Sequence, residues 1–250
     1  MNAERITSRQ NPVMQHMKKL QASRRYRQQH NEFVGDGIKL LEEAIRWKAG
    51  LRVVAAADDL EVPALPEGVR LIRAPRDVLE SVSAMQTPQG VLFVCATPPS
   101  GPLQLSGGSL ILEGIQDPGN LGTILRTADA LEVPVVLAEG CADPYSAKAV
   151  RASMGAVFRT PPQMAGCGEI AAYCAANRIA LLAAALSEHA LDIREADLAR
   201  AAVIIGSEGQ GISREFLQLS ERQIVIPMSE RCESLNAAVA AAIVMWQMRR

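Results

Sequence analysis

The sequence predicts an α/β protein in two modules, the second organised around a parallel sheet. From residue 32 onward, short apolar runs alternate with helical stretches, the pattern of buried parallel strands with helices on both faces. A Pro/Gly/Ser-rich stretch at residues 96–108 interrupts the alternation and reads as a linker between modules spanning 1–95 and 109–250. Two loops, 206–211 and 226–236, each follow an apolar strand and precede a helix. That places both on the strand edge where open α/β sheets bind ligands.

The composition bounds the rest. A chain of 250 residues with 48% hydrophobic and 21% charged side chains can bury a full core in one or two domains. The net charge of −1 gives no global case for nucleic acid, but its distribution does. Residues 1–48 hold ten Lys/Arg against five acids, a local +5, which leaves −6 for the remainder. Such asymmetry marks either a nucleic-acid-facing module or a solvated helix face. Five cysteines without a C-x-x-C pair argue against a disulfide scaffold or a zinc ribbon and fit a reducing, cytoplasmic setting. The N-terminus has no apolar signal region. The apolar run at 235–246 is well short of the roughly twenty residues a bilayer requires, so a buried helix and no membrane partner are expected.

In order, Asn11-Pro12 is a capping residue followed by proline at the first helical position, and Val13, Met14, Met17 and Leu20 recur at helical spacing. Arg9, Lys18, Lys19, Arg24, Arg25 and Arg27 surround Tyr26, a composition suited to phosphate contacts and base stacking, or simply to a polar helix end. Strands are expected at 33–34, 52–56, 69–72 and 91–95, with helices at 38–48 and 77–85. After the linker come a strand at 110–113, a helix carrying Ile124, Leu125, Ala128 and Leu131, and a strand at 133–138. Ser146 caps a helix with Lys148 and Arg151 on one face. Residues 157–160 read as a strand, 169–176 as a helix, and 179–185, 202–205 and 224–228 as strands. A short helix at 213–219 and a last one at 235–248 complete the chain.

The 206–211 loop, Gly206-Ser207-Glu208-Gly209-Gln210-Gly211, has neither the Gly-Lys-Ser/Thr ending of a P-loop nor G-x-G-x-x-G spacing. It offers backbone that can approach a flat ligand, with a carboxylate in its middle, or it is a plain glycine turn. Asn120 and Arg126 span a helix start, where an amide and a guanidinium could hold a sugar hydroxyl and a phosphate. Capping and a solvated face explain the same two residues. Ser234 and Asn236 flank the start of the last helix and serve equally as caps. His16, His30 and His189 are scattered along the chain and suggest neither a triad nor a metal site.

Three stretches together resemble one family. They are Asp117-Pro118-Gly119-Asn120-Leu121-Gly122 with Arg126-Thr127-Ala128, then Ile205 to Gly211, then Ile226-Pro227-Met228 through Ser234-Leu235-Asn236-Ala237-Ala238. In order and spacing they are similar to the motifs of the SpoU/TrmH RNA ribose 2′-O-methyltransferases of the SPOUT superfamily. Ile6-Thr7-Ser8 with Asn11-Pro12 resembles that family's N-terminal substrate-binding domain. The resemblance implies a trefoil-knotted C-terminal domain, which periodicity does not predict. It also implies a homodimer with the last helix in the interface, S-adenosylmethionine as methyl donor, and RNA, ribosomal by resemblance, as substrate. The implied cofactor-binding residues are Gly206, Glu208, Gly209, Gly211, Ile226, Met228, Ser234, Leu235 and Ala238, with adenosine held by backbone at Gly206, Ile226 and Leu235. Arg126, Asn120, Glu208, Ser234 and Asn236 are the implied catalytic group, and no metal is implied. The chain departs from the family pattern at Leu131-Glu132, where Phe-Gly is common, and at Asp36-Gly37, where Glu-Gly is usual. A non-catalytic RNA-binding protein with a degenerate enzyme domain, a nucleotide-dependent metabolic enzyme, or transfer RNA as substrate are the alternatives.

Overall fold

The computed structural model describes residues 4–250 apart from Glu188, Glu208 and Glu230. The chain divides into two compact units. Unit 1 holds the chain through Pro99 and also residues Tyr145–Arg159; unit 2 holds Ser100–Pro144 and Thr160–Arg250.

Unit 1 comprises β1 (Glu4–Arg5), α1 (Pro12–Ala22), α2 (Arg24–His30), β2 (Glu32–Asp36), α3 (Ile38–Arg46), β3 (Leu51–Ala57), β4 (Arg70–Ala74), α4 (Arg76–Glu80) and β5 (Val91–Ala96). Its sheet has the order β1-β4-β3-β5-β2, with β5 antiparallel to both neighbours. Asn11 caps α1 by accepting from Val13 N at 2.9 Å, and Pro12 occupies the first turn as expected. The helix lays Met14, Met17 and Leu20 on one sheet face, against Val34, Ala55, Ile72, Leu92 and Val94. The other face carries Phe33 and Phe93. Gly35 stands directly opposite Phe93 in the β2–β5 ladder, and a Cβ there would lie 2.1 Å from the Phe93 ring.

Residues Tyr145–Arg159 cover that second face. They form α6 (Ala147–Ala152) and α7 (Ala156–Arg159), so the strand expected at 157–160 is a helix instead. Its apolar run is short, and Phe158 is drawn onto Phe33 and Phe93, with ring centroids 6.0 and 6.3 Å apart, while Tyr145 packs on Phe33 at 4.9 Å. Arg159 pairs with Glu43. Ser146 caps α6 as expected, accepting from Ala149 N at 3.4 Å.

Unit 2 comprises β6 (Ser109–Leu112), α5 (Pro118–Ala130), β7 (Val135–Leu137), β8 (Gln163–Met164), α8 (Cys167–Asn177), β9 (Ala180–Ala184), β10 (Leu191–Asp192), β11 (Ala201–Ile205), α9 (Arg214–Leu219), β12 (Arg222–Val225) and α10 (Ala237–Met248). All paired strands run parallel, in the order β10-β12-β9-β11-β6-β7-β8. Every residue of β11 is buried, with α8 and α9 on one face and α10, itself packed on α5, on the other. The ladder of β12 ends at Val225, before Pro227, which has no N–H to give it. Residues 226–228, expected to be strand, therefore leave the sheet. Among the described residues no helix is long and apolar enough to cross a membrane.

Candidate active site at the strand edge of unit 2

The three sequence motifs of unit 2 meet at one edge of the sheet. α5 begins at Asp117, whose carboxylate accepts from Asn120 N at 2.8 Å. Asp117, not Asn120, is therefore the cap of α5. α10 begins at Asn236, whose Oδ1 accepts from Ala238 N at 2.9 Å and Val239 N at 3.4 Å. The Asn236 Nδ2 donates to Asn120 Oδ1 at 3.3 Å, so the first and third motifs are hydrogen-bonded to each other.

The 206–211 loop closes on itself. Ser207 N donates to Gly211 O at 3.2 Å and Gly211 N to Ser207 O at 3.0 Å. Gly206 faces the returning strand so closely that a Cβ would lie 2.2 Å from Gly211 O, and Gly211 itself has φ +67. Glu113, at the end of β6, accepts from Ser213 N at 2.8 Å and anchors the loop's exit.

Between this loop and residues 226–235 lies a cavity of about 370 Å³, within the usual range for a small-molecule site. Gly206, Gly211, Ile226, Met228, Ser234 and Leu235 line it, all expected from the sequence. Gly209 and Ala238 are not among its lining residues, and Glu208 lies outside the described residues. Sequence reasoning missed the wall supplied by Ala184, Ala185 and Leu186; its only signal was a third apolar run ending at the same edge. Among the described residues, the N–H groups of Gly206, Ile226 and Leu235 have no hydrogen-bond partner in the protein. Backbone donors on residues that line a largely apolar cleft suit a ligand with several acceptors.

Beside the cavity, α5 and α10 form a groove of about 550 Å³, lined by Asn120, Thr123 and Thr127 on one side and Asn236, Val239, Ile243 and Trp246 on the other. Ala238 belongs to this groove. Arg126 is exposed on α5 and is not among the residues that line either space.

The basic residues of unit 1 divide. Lys18, Lys19, Arg24 and Arg25 are exposed, and Lys19 Nζ lies 5.8 Å from the Tyr26 ring centroid. Arg9 is exposed but paired with Asp77 at 2.8 Å. Arg27 corrects the expectation of an RNA contact. It is only 6% exposed, and its guanidinium donates to the carbonyls of Leu20 at 2.5 Å and Gln21 at 3.1 Å. It therefore satisfies the end of α1 rather than facing solvent. The histidines are also not all scattered: His16 and His30 lie together, with ring centroids 5.0 Å apart.

Solved structures of RNA methyltransferases share this fold over nearly the whole chain. The putative TrmH-family RNA methyltransferase of Porphyromonas gingivalis matches with a TM-score of 0.83 at 32% identity, over 94% of this chain and 96% of that one. The AdoMet-bound rRNA methyltransferase of Sinorhizobium meliloti matches with a TM-score of 0.87 at 25% identity, over 99% and 98%. In sequence, the 23S rRNA (guanosine(2553)-2'-O)-methyltransferase RlmP of Bacillus subtilis is 30% identical over 98% of this chain and 99% of its own length. Residues 108–246 match the SpoU rRNA Methylase family and residues 11–92 the MRM3-like substrate binding domain, and the chain belongs to the SpoU rRNA methylase family.

Proposed function

We propose that the protein methylates a ribose 2′-hydroxyl of ribosomal RNA, with S-adenosylmethionine bound in the cavity of unit 2. The observation that carries this is the cleft itself: backbone N–H groups at Gly206, Ile226 and Leu235 that have no protein partner among the described residues, apolar walls around them, and the Asn120–Asn236 hydrogen bond beside them. Gly206, Ile226 and Leu235 would offer their N–H groups to the acceptors of an adenosine, and the apolar lining would receive its ring. When bound, the cofactor supplies an electrophilic sulfonium methyl with a good leaving group. The chain's task is then alignment and stabilisation of the attacking oxygen. Asn120 and Asn236 fix each other, and with Ser234 they position the ribose at the mouth of the cleft. A guanidinium is a poor base, so the role for Arg126 is to orient the hydroxyl and its neighbouring phosphate and to stabilise the developing alkoxide. Glu208 completes the group by resemblance, between Ser207 and Gly209.

Unit 1 is the RNA-docking unit in this reading, with Lys18, Lys19, Arg24 and Arg25 as its phosphate contacts. The working form is a homodimer joined through α10, supported by the exposure of Val239, Ile243 and Trp246, the last at 65%. The C-terminal segment is a trefoil knot. This is supported by α10 packing on α5 and β11 although the strand before it, β12, lies beyond β9 in the sheet. A reducing cytoplasm is the proposed setting, in keeping with five free cysteines.

The test is transfer of labelled methyl from S-adenosylmethionine to ribosomal or transfer RNA, followed by mapping of the modified nucleotide. Labelling of ribosomal RNA at a ribose is expected; labelling of transfer RNA alone, or of neither, overturns the reading. Arg126→Ala should bind cofactor as the parent does, with stability within about 0.5 kcal/mol since the side chain is exposed, yet transfer methyl far more slowly. A wild-type rate removes Arg126 from the mechanism.

A further inference from the structure

In unit 1, one ligand atom each from His16, His30 and Glu32 lie within 4.8 Å of one another. The three residues come from separate elements. His16 stands on α1, His30 ends α2, and Glu32 begins β2. The residue between the last two, Asn31, is in the left-handed conformation with φ 50, and this turn brings His30 and Glu32 to the same spot. The His16 and Glu32 side chains are largely withdrawn from solvent, at 27% and 13% exposure.

The surroundings orient two of these groups. Tyr26 Oη lies 3.0 Å from His16 Nδ1, and Arg52 Nη1 lies 3.2 Å from Glu32 Oε1. The remaining atoms, His16 Nε2 and Glu32 Oε2, face each other at 2.7 Å. This is the arrangement of a metal site with outer partners fixing the imidazole tautomer and the carboxylate. Bond lengths of about 2.0–2.2 Å to nitrogen and oxygen put the ligands of a tetrahedral ion about 3.4 Å apart, which small side-chain rotations reach from here.

We propose that His16, His30 and Glu32 form a binding site for a zinc-class divalent cation, with a fourth position open to solvent. Two imidazoles and a carboxylate suit that class of ion. Entry of the ion would replace the direct hydrogen bond between His16 Nε2 and Glu32 Oε2. Arg52 and Lys19 oppose the cation's charge, and the carboxylate offsets them. The ion would tie α1, α2 and β2 together beneath the basic surface of Lys18, Lys19, Arg24 and Arg25. The proposal is independent of the methyl-transfer reading.

The full chain, stripped with chelator, is titrated with Co²⁺ and followed by its visible d–d bands, and with Zn²⁺ by calorimetry. One ion per chain is expected, with the spectrum of a nitrogen/oxygen set and no thiolate charge-transfer band. His30 is exposed, so His30→Ala should leave metal-free folding and circular dichroism unchanged while reducing affinity at least about tenfold. Tyr26→Phe should cost about tenfold without removing a ligand. Zn²⁺ should raise the melting temperature of the parent but not of His30→Ala, and Cys232→Ser should bind as the parent does. No saturable binding by the parent, equal binding by His30→Ala, or loss of binding in Cys232→Ser overturns the proposal.

Discussion

Gly206→Ala tests how the cofactor loop is built. A Cβ at this position would lie 2.2 Å from Gly211 O, 2.3 Å from Gly211 C and 2.5 Å from Ile212 N. These are backbone atoms, so no rotamer change relieves the overlap, and the loop must open. Opening breaks the pair of hydrogen bonds between Ser207 and Gly211. Two such bonds at about 1 kcal/mol each give about 2 kcal/mol, within the ~1–3 kcal/mol typical of overpacking. If the whole unit bears that cost, the melting temperature falls by about 4–8 °C. If only the loop yields, the cost appears in binding, where 2 kcal/mol is roughly a thirtyfold loss of affinity for S-adenosylmethionine. Thermal melts and calorimetric titration of one preparation separate the two. Gly209→Ala is the control: a Cβ there meets nothing within 4 Å, so stability should change by less than about 0.5 kcal/mol. Wild-type affinity and melting temperature in Gly206→Ala would refute both the close approach and the role given to the loop.

Asn236→Asp should keep the cap of α10 while losing the amide donor to Asn120; stability is retained and methyl transfer falls, whereas Asn236→Ala should also lose about 1 kcal/mol of stability by melting. Burial raises the Asp36 carboxyl above its ordinary value, partly offset by the Ser83 hydroxyl and the charge of Arg151. The folded value exceeds the unfolded one, so the stabilising contribution of the neutral form is present in acid and lost as pH rises through the folded value. Asp36→Asn should therefore melt higher than the parent at neutral pH and match it below the carboxylate range; a constant difference across pH would contradict this. Burial pushes the Cys95 thiol up to about 12, and the Cys174 thiol up to about 11 with help from Glu221. Burial, then Glu215, Glu113 and Glu139, takes Cys167 to about 12. Alkylation of the native protein at neutral pH should thus fall on the exposed Cys232, and S-adenosylmethionine should slow it because Ser234 lines the cavity; mass mapping that finds the buried thiols modified first would count against this.

The parallel sheet of unit 2 was legible because strands buried on both faces leave unbroken apolar runs such as 201–205. Membership of unit 1 for Tyr145–Arg159 was not, since it depends on Phe33 and Phe93 presenting an aromatic face, and Gly35 making room for it, more than fifty residues earlier. Charge counting likewise could not separate Lys18, on the surface, from Arg27, turned inward onto the carbonyls of Leu20 and Gln21. Glu132 shows the opposite case. The sequence departs there from the family's usual glycine, and the structure holds Glu132 at φ 53, the left-handed conformation glycine adopts without cost. The helix end is kept despite the substitution.

Much of what the cleft offers a ligand is backbone at Gly206, Ile226 and Leu235, beside the side chains of Ser207, Gln210 and Ser234. Side-chain chemistry enters at its mouth, through Asn236. That residue does two things at once: its carbonyl oxygen starts α10, and its amide nitrogen holds Asn120 at the start of α5. The same two helices wall the groove that exposes Val239, Ile243 and Trp246. A second copy seated on that groove would press on the helices whose first turns define the site. Dimerisation and positioning of the ribose would then share one hydrogen bond. In that case Trp246→Glu, about three turns from the chemistry along α10 if helical rise is counted, should lower methyl transfer together with the dimer fraction, and a monomeric variant with the parent's rate would separate the two.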